Sequence, residues 1–229
     1  MKKFIIDNLA ISFESIKLER SLIIKTGLFL ALPLLLIVVV ANRVGVEPSD
    51  LTRDPNGVYH YAPYIGSLTF VGIFFWIASV TICFLAFNFL KNFSQKKRTA
   101  SFFLYSGLLT LLLVIDDTFE IHEIILEEYM GFDEYYSYAF YLVLFGIFTL
   151  TYIKELFSLH VSLLIVAFAA FGISVFFDLI LEGIVPYSTY LEDGFKLSGI
   201  VFWMLYFAIY FYNEMKDVIA FKRDAVVKE

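Results

Sequence analysis

Residues 61–90 read YAPYIGSLTFVGIFFWIASVTICFLAFNFL, thirty consecutive residues without a charged side chain. A helix needs about 20 mostly apolar residues to cross a hydrocarbon layer of about 30 Å, because each residue adds about 1.5 Å. This stretch is therefore predicted to span a membrane as a helix.

The same criterion marks further uncharged stretches on both sides of this one. They are Thr26–Asn42, Thr99–Ile115, Tyr135–Ile153, Leu156–Phe177 and Leu197–Asn213. The sequence thus predicts an all-α bundle of six transmembrane helices, forming a single domain over residues 1–229. Residues 1–20 are expected to be a cytoplasmic or interfacial segment, and residues 214–229 a cytoplasmic tail.

The composition agrees with a membrane protein and excludes several other classes. Hydrophobic residues make up 60% of the chain, charged residues only 17%, and the mean hydropathy is +0.78. A soluble domain carries about 25% charged residues, so a soluble globule, a disordered chain and a coiled coil are excluded. The single cysteine, Cys83, cannot form an internal disulfide. A net charge of -6 argues against nucleic acid as a partner, because phosphate binding needs clustered basic surface.

The basic residues predict the orientation of the bundle in the plasma (inner) membrane. With both termini in the cytoplasm, 14 of the 17 lysines and arginines fall on the cytoplasmic side, including a cluster from Lys91 to Arg98. Lysine and arginine in short loops favour the cytoplasmic face. The predicted topology is therefore N-in, C-in.

The acidic residues divide in the opposite way. Fifteen of the 23 fall on the predicted outer side, mostly in three segments at helix ends. These segments are Asp116-Asp117-Thr-Phe-Glu120-Ile-His122-Glu123, Asp178 with Glu182, and Glu192-Asp193-Gly-Phe-Lys196. Asp116 lies 18 residues beyond Arg98, about 27 Å along a helix, which is near the outer edge of the hydrocarbon. Ionisable groups at that depth indicate a functional site.

Helical spacing refines this picture. At about 100° per residue, Asp116, Glu120, Glu123 and Glu127 share one face of an extended third helix, whereas Asp117 and His122 face neighbouring helices. Glu192 and Lys196 are predicted to form an i, i+4 ion pair, and Asp178 and Glu182 occupy the same spacing. Four acids are expected to be solvated helix caps: Glu127, Glu128, Asp133 and Glu134.

Four glycines are expected to be close-packing positions between helices: Gly146, Gly172, Gly194 and Gly199.

Three hypotheses follow from so many acids beside one lysine. The first is an outward-facing site for a divalent cation, framed by the third, fifth and sixth spans. Its candidate ligands are Asp116, Asp117, Glu120, His122, Glu123, Asp178, Glu182, Glu192 and Asp193, with Lys196 and His60 as further polar residues. Oxygen-rich ligation suits Mn, Fe, Ca or Mg, and Zn accepts histidine with carboxylates. A metal-bound water would allow chemistry on a lipid or small-molecule substrate, with Glu123 as the candidate general base.

The second hypothesis is a transporter that moves protons or cations through these carboxylates and Lys196. Transporter sites usually lie near the midplane between repeats, whereas these charges are on one side. The third is a structural or assembly subunit, in which the acids are solvated helix ends. Membrane lipids are the expected surroundings in every case, and the sequence leaves the oligomeric state open.

The two acidic motifs also carry a resemblance. Residues 116–123, with an acidic pair followed by His122-Glu123, resemble the signature of an uncharacterised group of bacterial six-helix membrane proteins. Residues 192–199, with Glu192-Asp193 followed by Lys196 and Gly199, are similar to that group's second signature. Asp117 and Asp193 stand where the group has glutamate, and Lys196 where an acid is common. The resemblance implies that the two motifs lie together in the fold.

Overall fold

The computed structural model describes residues 55–227 apart from 63, 158–159, 182–183 and 185–187, together with scattered residues between 20 and 45. Residues 1–65 and residues 66–229 form two separate compact units. In the first unit, Pro55–Val58 is a short helix. The predicted interfacial segment and most of the predicted span Thr26–Asn42 lie outside the described residues, although the described positions within that span are helical.

The second unit is built from helices throughout the part that the structure describes. Its five long α-helices and three short helical segments follow one another along the chain. They are α1 (Ser67–Leu90), a 3₁₀ turn (Ser94–Lys96), α2 (Lys97–Phe119), a first π-helical segment (Ile121–Tyr129), α3 (Glu134–Leu156), α4 (Val161–Phe176), a second π-helical segment (Phe177–Leu181) and α5 (Ser188–Val227).

Five of the described helical stretches are long and apolar enough to cross a membrane. They correspond to the second through sixth predicted spans, so the prediction of a helical membrane protein is supported. The count of six spans stays a prediction, because the first falls largely outside the described residues. The last helix continues beyond the predicted end of its span at Asn213 to Val227.

The core lies between α1, α2 and α5, with α4 packed on α5. Phe102, Phe103 and Phe207 are fully buried and contact one another through their rings. Trp203, also fully buried, donates its indole N–H to Thr110 Oγ1 at 3.0 Å. A polar group in hydrocarbon must be satisfied within the protein, and this bond satisfies both groups between two helices.

The four glycines predicted to allow close helix packing differ in their surroundings. A Cβ at Gly199 would lie 2.7 Å from the ring of Phe171, so α4 and α5 approach closely there and the prediction is confirmed. At Gly146, Gly172 and Gly194 no described heavy atom comes within 4 Å of such a Cβ. Close packing is therefore not seen at these three positions among the described residues.

Ion pairs join the helices at the end of the bundle that carries the basic cluster. Arg98 Nε lies 2.5 Å from Glu155 Oε1, which joins α2 to α3. Lys96 Nζ lies 2.6 Å from Glu214 Oε2 on α5. Part of the basic cluster therefore holds helices together, in addition to its predicted role as a topology signal.

Candidate functional site

A polar cavity of about 380 Å³ lies at the opposite end of the bundle. Seven of its lining residues carry carboxylates, beside one imidazole, one ammonium group and two hydroxyls. They are Thr69, Asp116, Asp117, Glu120, His122, Glu127, Asp178, Thr189, Glu192, Asp193 and Lys196. The two acidic sequence motifs and Asp178 thus meet at one place.

The end of α2 brings His122 back towards Asp116. The α-helix ends at Phe119, Glu120 takes a left-handed conformation (φ 47°, ψ 46°), and the chain continues as the first π-helical segment. The predicted carboxylate stripe on one continuous α-helix is therefore wrong, because the helical phase changes at Glu120. Segments of π-helix often occur at functional sites.

Asp116 holds this break in place. Its Oδ1 accepts the backbone N–H of His122 at 3.1 Å, and its Oδ2 lies 2.7 Å from His122 Nδ1. The side chain of Tyr141 on α3 lies near this carboxylate. Asp116 is only 6% exposed, so its contacts with His122 replace water that a charged carboxylate would otherwise need.

Tyr138, one helical turn before Tyr141, forms a second connection. Its ring lies against His122 with centroids 6.0 Å apart and planes at 65°. Its hydroxyl donates to Asp178 Oδ2 at 2.5 Å. The prediction that His122 faces a neighbouring helix is confirmed by this contact, and His122 also contacts Asp116.

Lys196 on α5 is the one lysine among the described lining residues. Its Nζ lies 2.5 Å from Oδ1 of Asp117, so Asp117 faces a neighbouring helix as predicted. A small adjoining cavity of about 20 Å³ has apolar walls from Gly72, Leu197 and Ile200. Lys196 therefore has polar neighbours in the large cavity, and the residues that follow it within one turn of α5 form an apolar wall.

The predicted site residues divide into those that the structure brings together and those that it does not describe. Eight line the cavity: Asp116, Asp117, Glu120, His122, Asp178, Glu192, Asp193 and Lys196. The side chain of Glu123, the candidate base, and the whole of Glu182 lie outside the described residues. His60 belongs to the unit of residues 1–65, so its participation stays a prediction.

Of the predicted caps, Asp133 caps α3 by accepting the N–H of Tyr135, and Glu127 lines the cavity.

Residues from two further helices were not predicted. Thr69 on α1 lines the cavity, and Tyr138 on α3 donates to Asp178, so five predicted spans contribute rather than three. The i, i+3 spacing of Tyr138 and Tyr141 was the available signal, since it places both on one helix face.

Metal coordination is not supported by the described side chains. Among them, no group of three or more histidines, cysteines, aspartates or glutamates is arranged so that it could hold a metal ion. The acids of the cavity are instead paired in part with His122, Lys196 and Tyr138.

Comparison with known proteins gives a family. A family model described as a domain of unknown function (DUF8692) matches residues 28–210. No curated protein and no solved structure matches the chain.

Proposed function

Because the chain belongs to the DUF8692 family, whose function is not known, we propose a function from the geometry of the site: the protein binds a cation in an acidic cavity at the outer face of the plasma membrane. The observation that carries the proposal is the lining of the cavity, in which seven carboxylates accompany one lysine.

Electrostatics favours a positive occupant. Like charges gathered in a partly enclosed space of reduced dielectric repel one another strongly, and either protons or a cation must compensate them. Lys196 is already paired with Asp117. The remaining carboxylates of the lining supply the field that attracts a cation.

The volume of the cavity supports an occupant larger than a bare ion. A space of about 380 Å³ admits a divalent ion with its water shell, or an organic cation. Mn, Fe, Ca, Mg and Zn all remain candidates for the hydrated ion. The excess of basic residues at the far end of the bundle supports the outward orientation.

Equilibrium binding to the purified protein in nanodiscs tests this function. Mn²⁺, followed through the electron paramagnetic resonance signal of the free ion, and radiolabelled ethanolammonium serve as probes. The variant Glu192→Gln/Asp193→Asn should lower the affinity for the bound cation at least tenfold, because two lining charges are removed. Saturable binding by the unmodified protein is the first expected result.

Glu128→Gln is the matched control, since Glu128 is exposed on the same end of the bundle and is not part of the described lining. Its affinity should stay within about twofold of the unmodified protein, because an exposed charge outside the lining is screened by salt. The proposal fails if neither probe binds saturably, or if the control and the double variant lose affinity equally.

A further inference from the structure

The basic end of the bundle, opposite the acidic cavity, carries more positive charge than its ion pairs use. Among the side chains described between residues 66 and 221, three acids lie at this end: Glu155, Glu214 and Asp217. Six basic residues lie there: Lys91, Lys96, Lys97, Arg98, Lys154 and Lys216. The described side chains of this end therefore have an excess of three positive charges.

Two of the three acids are largely buried, whereas most of the basic side chains are exposed. The side chains of Glu155 and Glu214 are only 10% and 9% exposed, and they pair with Arg98 and Lys96. Arg98 stays 62% exposed in its pair. Asp217, the exposed acid, lies 3.6 Å from Lys96. The accessible surface of this end is therefore more positive than the count of charges alone indicates.

Four exposed lysines form no ion pair with the side chains that the structure describes: Lys91, Lys97, Lys154 and Lys216. Lys91 Nζ donates to Asn88 Oδ1 at 2.7 Å and lies 5.2 Å from the ring centroid of Phe87. Lys216 Nζ lies 4.4 Å from the ring centroid of Tyr212. None of these neighbours carries a negative charge, so an anion from outside the chain can still be attracted.

Three of the exposed basic residues belong to one compact connection between α1 and α2. Backbone hydrogen bonds from Phe93 to Leu90 at 3.0 Å and from Lys96 to Phe93 at 2.9 Å close its two turns. Lys91 comes directly before these turns, and Lys97 and Arg98 come directly after them. The connection therefore gathers three cationic side chains at the adjoining ends of two helices.

This connection lies at the level where membrane-length apolar stretches end. One such stretch ends at Leu90, the next begins at Ser94, and a third ends at Leu156. Tyr212, which is 52% exposed beside Lys216, is typical of the interfacial layer of a membrane. Phospholipid headgroups occupy that layer, and an anionic headgroup is the one complementary in charge to this surface.

We infer that this basic surface binds the headgroup of an anionic phospholipid, with Lys91, Lys97 and Arg98 as its main cationic contacts. Orientation in the membrane requires only that basic residues be present in the loop, so a selective lipid site is an additional property. The inference does not depend on the proposed function, because the acidic cavity lies at the other end of the bundle.

Native mass spectrometry of the full chain, released from detergent micelles after titration with lipid, measures the affinity for the first lipid bound. Phosphatidylglycerol and phosphatidylcholine with identical acyl chains are the probes, so only the headgroup differs. The unmodified protein should bind phosphatidylglycerol at least fivefold more tightly. Lys91→Gln/Lys97→Gln should reduce the preference to less than twofold, because each basic residue near an anionic lipid surface contributes about fivefold.

Lys91→Arg/Lys97→Arg is the matched control, since it keeps both charges and should keep the preference within about twofold. The affinity of each variant for phosphatidylcholine reports whether its fold is intact. Equal affinities for the two lipids in the unmodified protein overturn the inference. An undiminished preference in the glutamine variant overturns the assignment to Lys91 and Lys97.

A soluble competitor separates a lipid from a free anion. Glycerol phosphate carries the charge of the headgroup without acyl chains, and a hundredfold excess should leave phosphatidylglycerol bound. Displacement would show that a soluble phosphate is the ligand, and it would overturn the assignment to a membrane lipid.

Discussion

Glu120 is the residue on which the geometry of the cavity depends. Its φ of 47° lies in the left-handed region, where a Cβ crowds the following carbonyl. The break at this residue lets the His122 N–H reach Asp116 instead of continuing the α-helix. A carboxylate at a position that favours glycine indicates that the side chain itself is needed at the cavity.

Replacement of Glu120 by glycine and by alanine should separate the backbone strain from the loss of charge. Both variants remove the carboxylate, but only glycine relieves the left-handed strain. Glu120→Gly should therefore be more stable than Glu120→Ala by about 1 kcal/mol. Reversible unfolding in mixed detergent micelles measures the difference. Equal stabilities would show that the break is not strained.

At the residue scale, the sequence predicted which carboxylates meet but not how they are held. Asp116, Asp178 and Glu192 were recognised because charged residues near the membrane edge are conspicuous among apolar neighbours. The direct contact between Asp116 and His122 was not predicted, because the phase argument assumed a continuous α-helix through Glu120. The tyrosines on α3 did not stand out in the sequence, because tyrosine is common at membrane interfaces regardless of function.

At the scale of the helices, a glycine on α5 packs against an aromatic ring on α4. Gly199 on α5 faces Phe171 of α4, and the ring of Phe171 stacks in turn on Trp76 of α1 with centroids 5.7 Å apart. Close approach of backbones at small residues is a main source of helix association in membranes. This contact therefore connects three helices on the apolar side of the cavity.

Gly199→Ala should destabilise the bundle. The added Cβ would meet the ring of Phe171 at 2.7 Å, and overpacking of this kind costs about 1–3 kcal/mol. Gly172→Ala is the matched control on the neighbouring helix, since no described atom lies within 4 Å of its Cβ. Alanine should leave that helix unchanged or stabilise it by up to about 1 kcal/mol. Unfolding of both variants by titration with dodecyl sulfate provides the comparison, and equal losses would contradict the packing argument.

The existence of the described long helices could be predicted from uncharged runs, but their ends and partners could not. Apolar runs mark the hydrocarbon core, whereas helix ends depend on local hydrogen bonds such as those of Asp116. A membrane helix is largely apolar on its lipid-facing side as well as on its packed side, so a run does not show which face meets another helix. For this reason the glycine prediction succeeded at Gly199 and failed at Gly146, Gly172 and Gly194.

At the scale of the whole molecule, the two ends of the bundle have opposite charge and differ in how their charged side chains are paired. At one end Arg98 and Lys96 form ion pairs with Glu155 and Glu214. At the other, seven carboxylates line one cavity. Basic residues set orientation, whereas acidic residues contribute little to it. The accumulation of acids at one end therefore requires a cause other than topology, and the bound cation of the proposed function supplies one.

The orientation itself can be tested by labelling single cysteines in cells. Glu128→Cys places a thiol at the cavity end and Lys91→Cys at the opposite end, both at exposed positions. A maleimide that does not cross membranes should label Glu128→Cys in intact cells, and Lys91→Cys only after permeabilisation, because the basic end is expected in the cytoplasm. The parent protein is the control, since its Cys83 is fully buried and should stay unlabelled. The reverse pattern would place the cavity in the cytoplasm, where its cation would come from inside the cell, and would contradict the N-in, C-in topology.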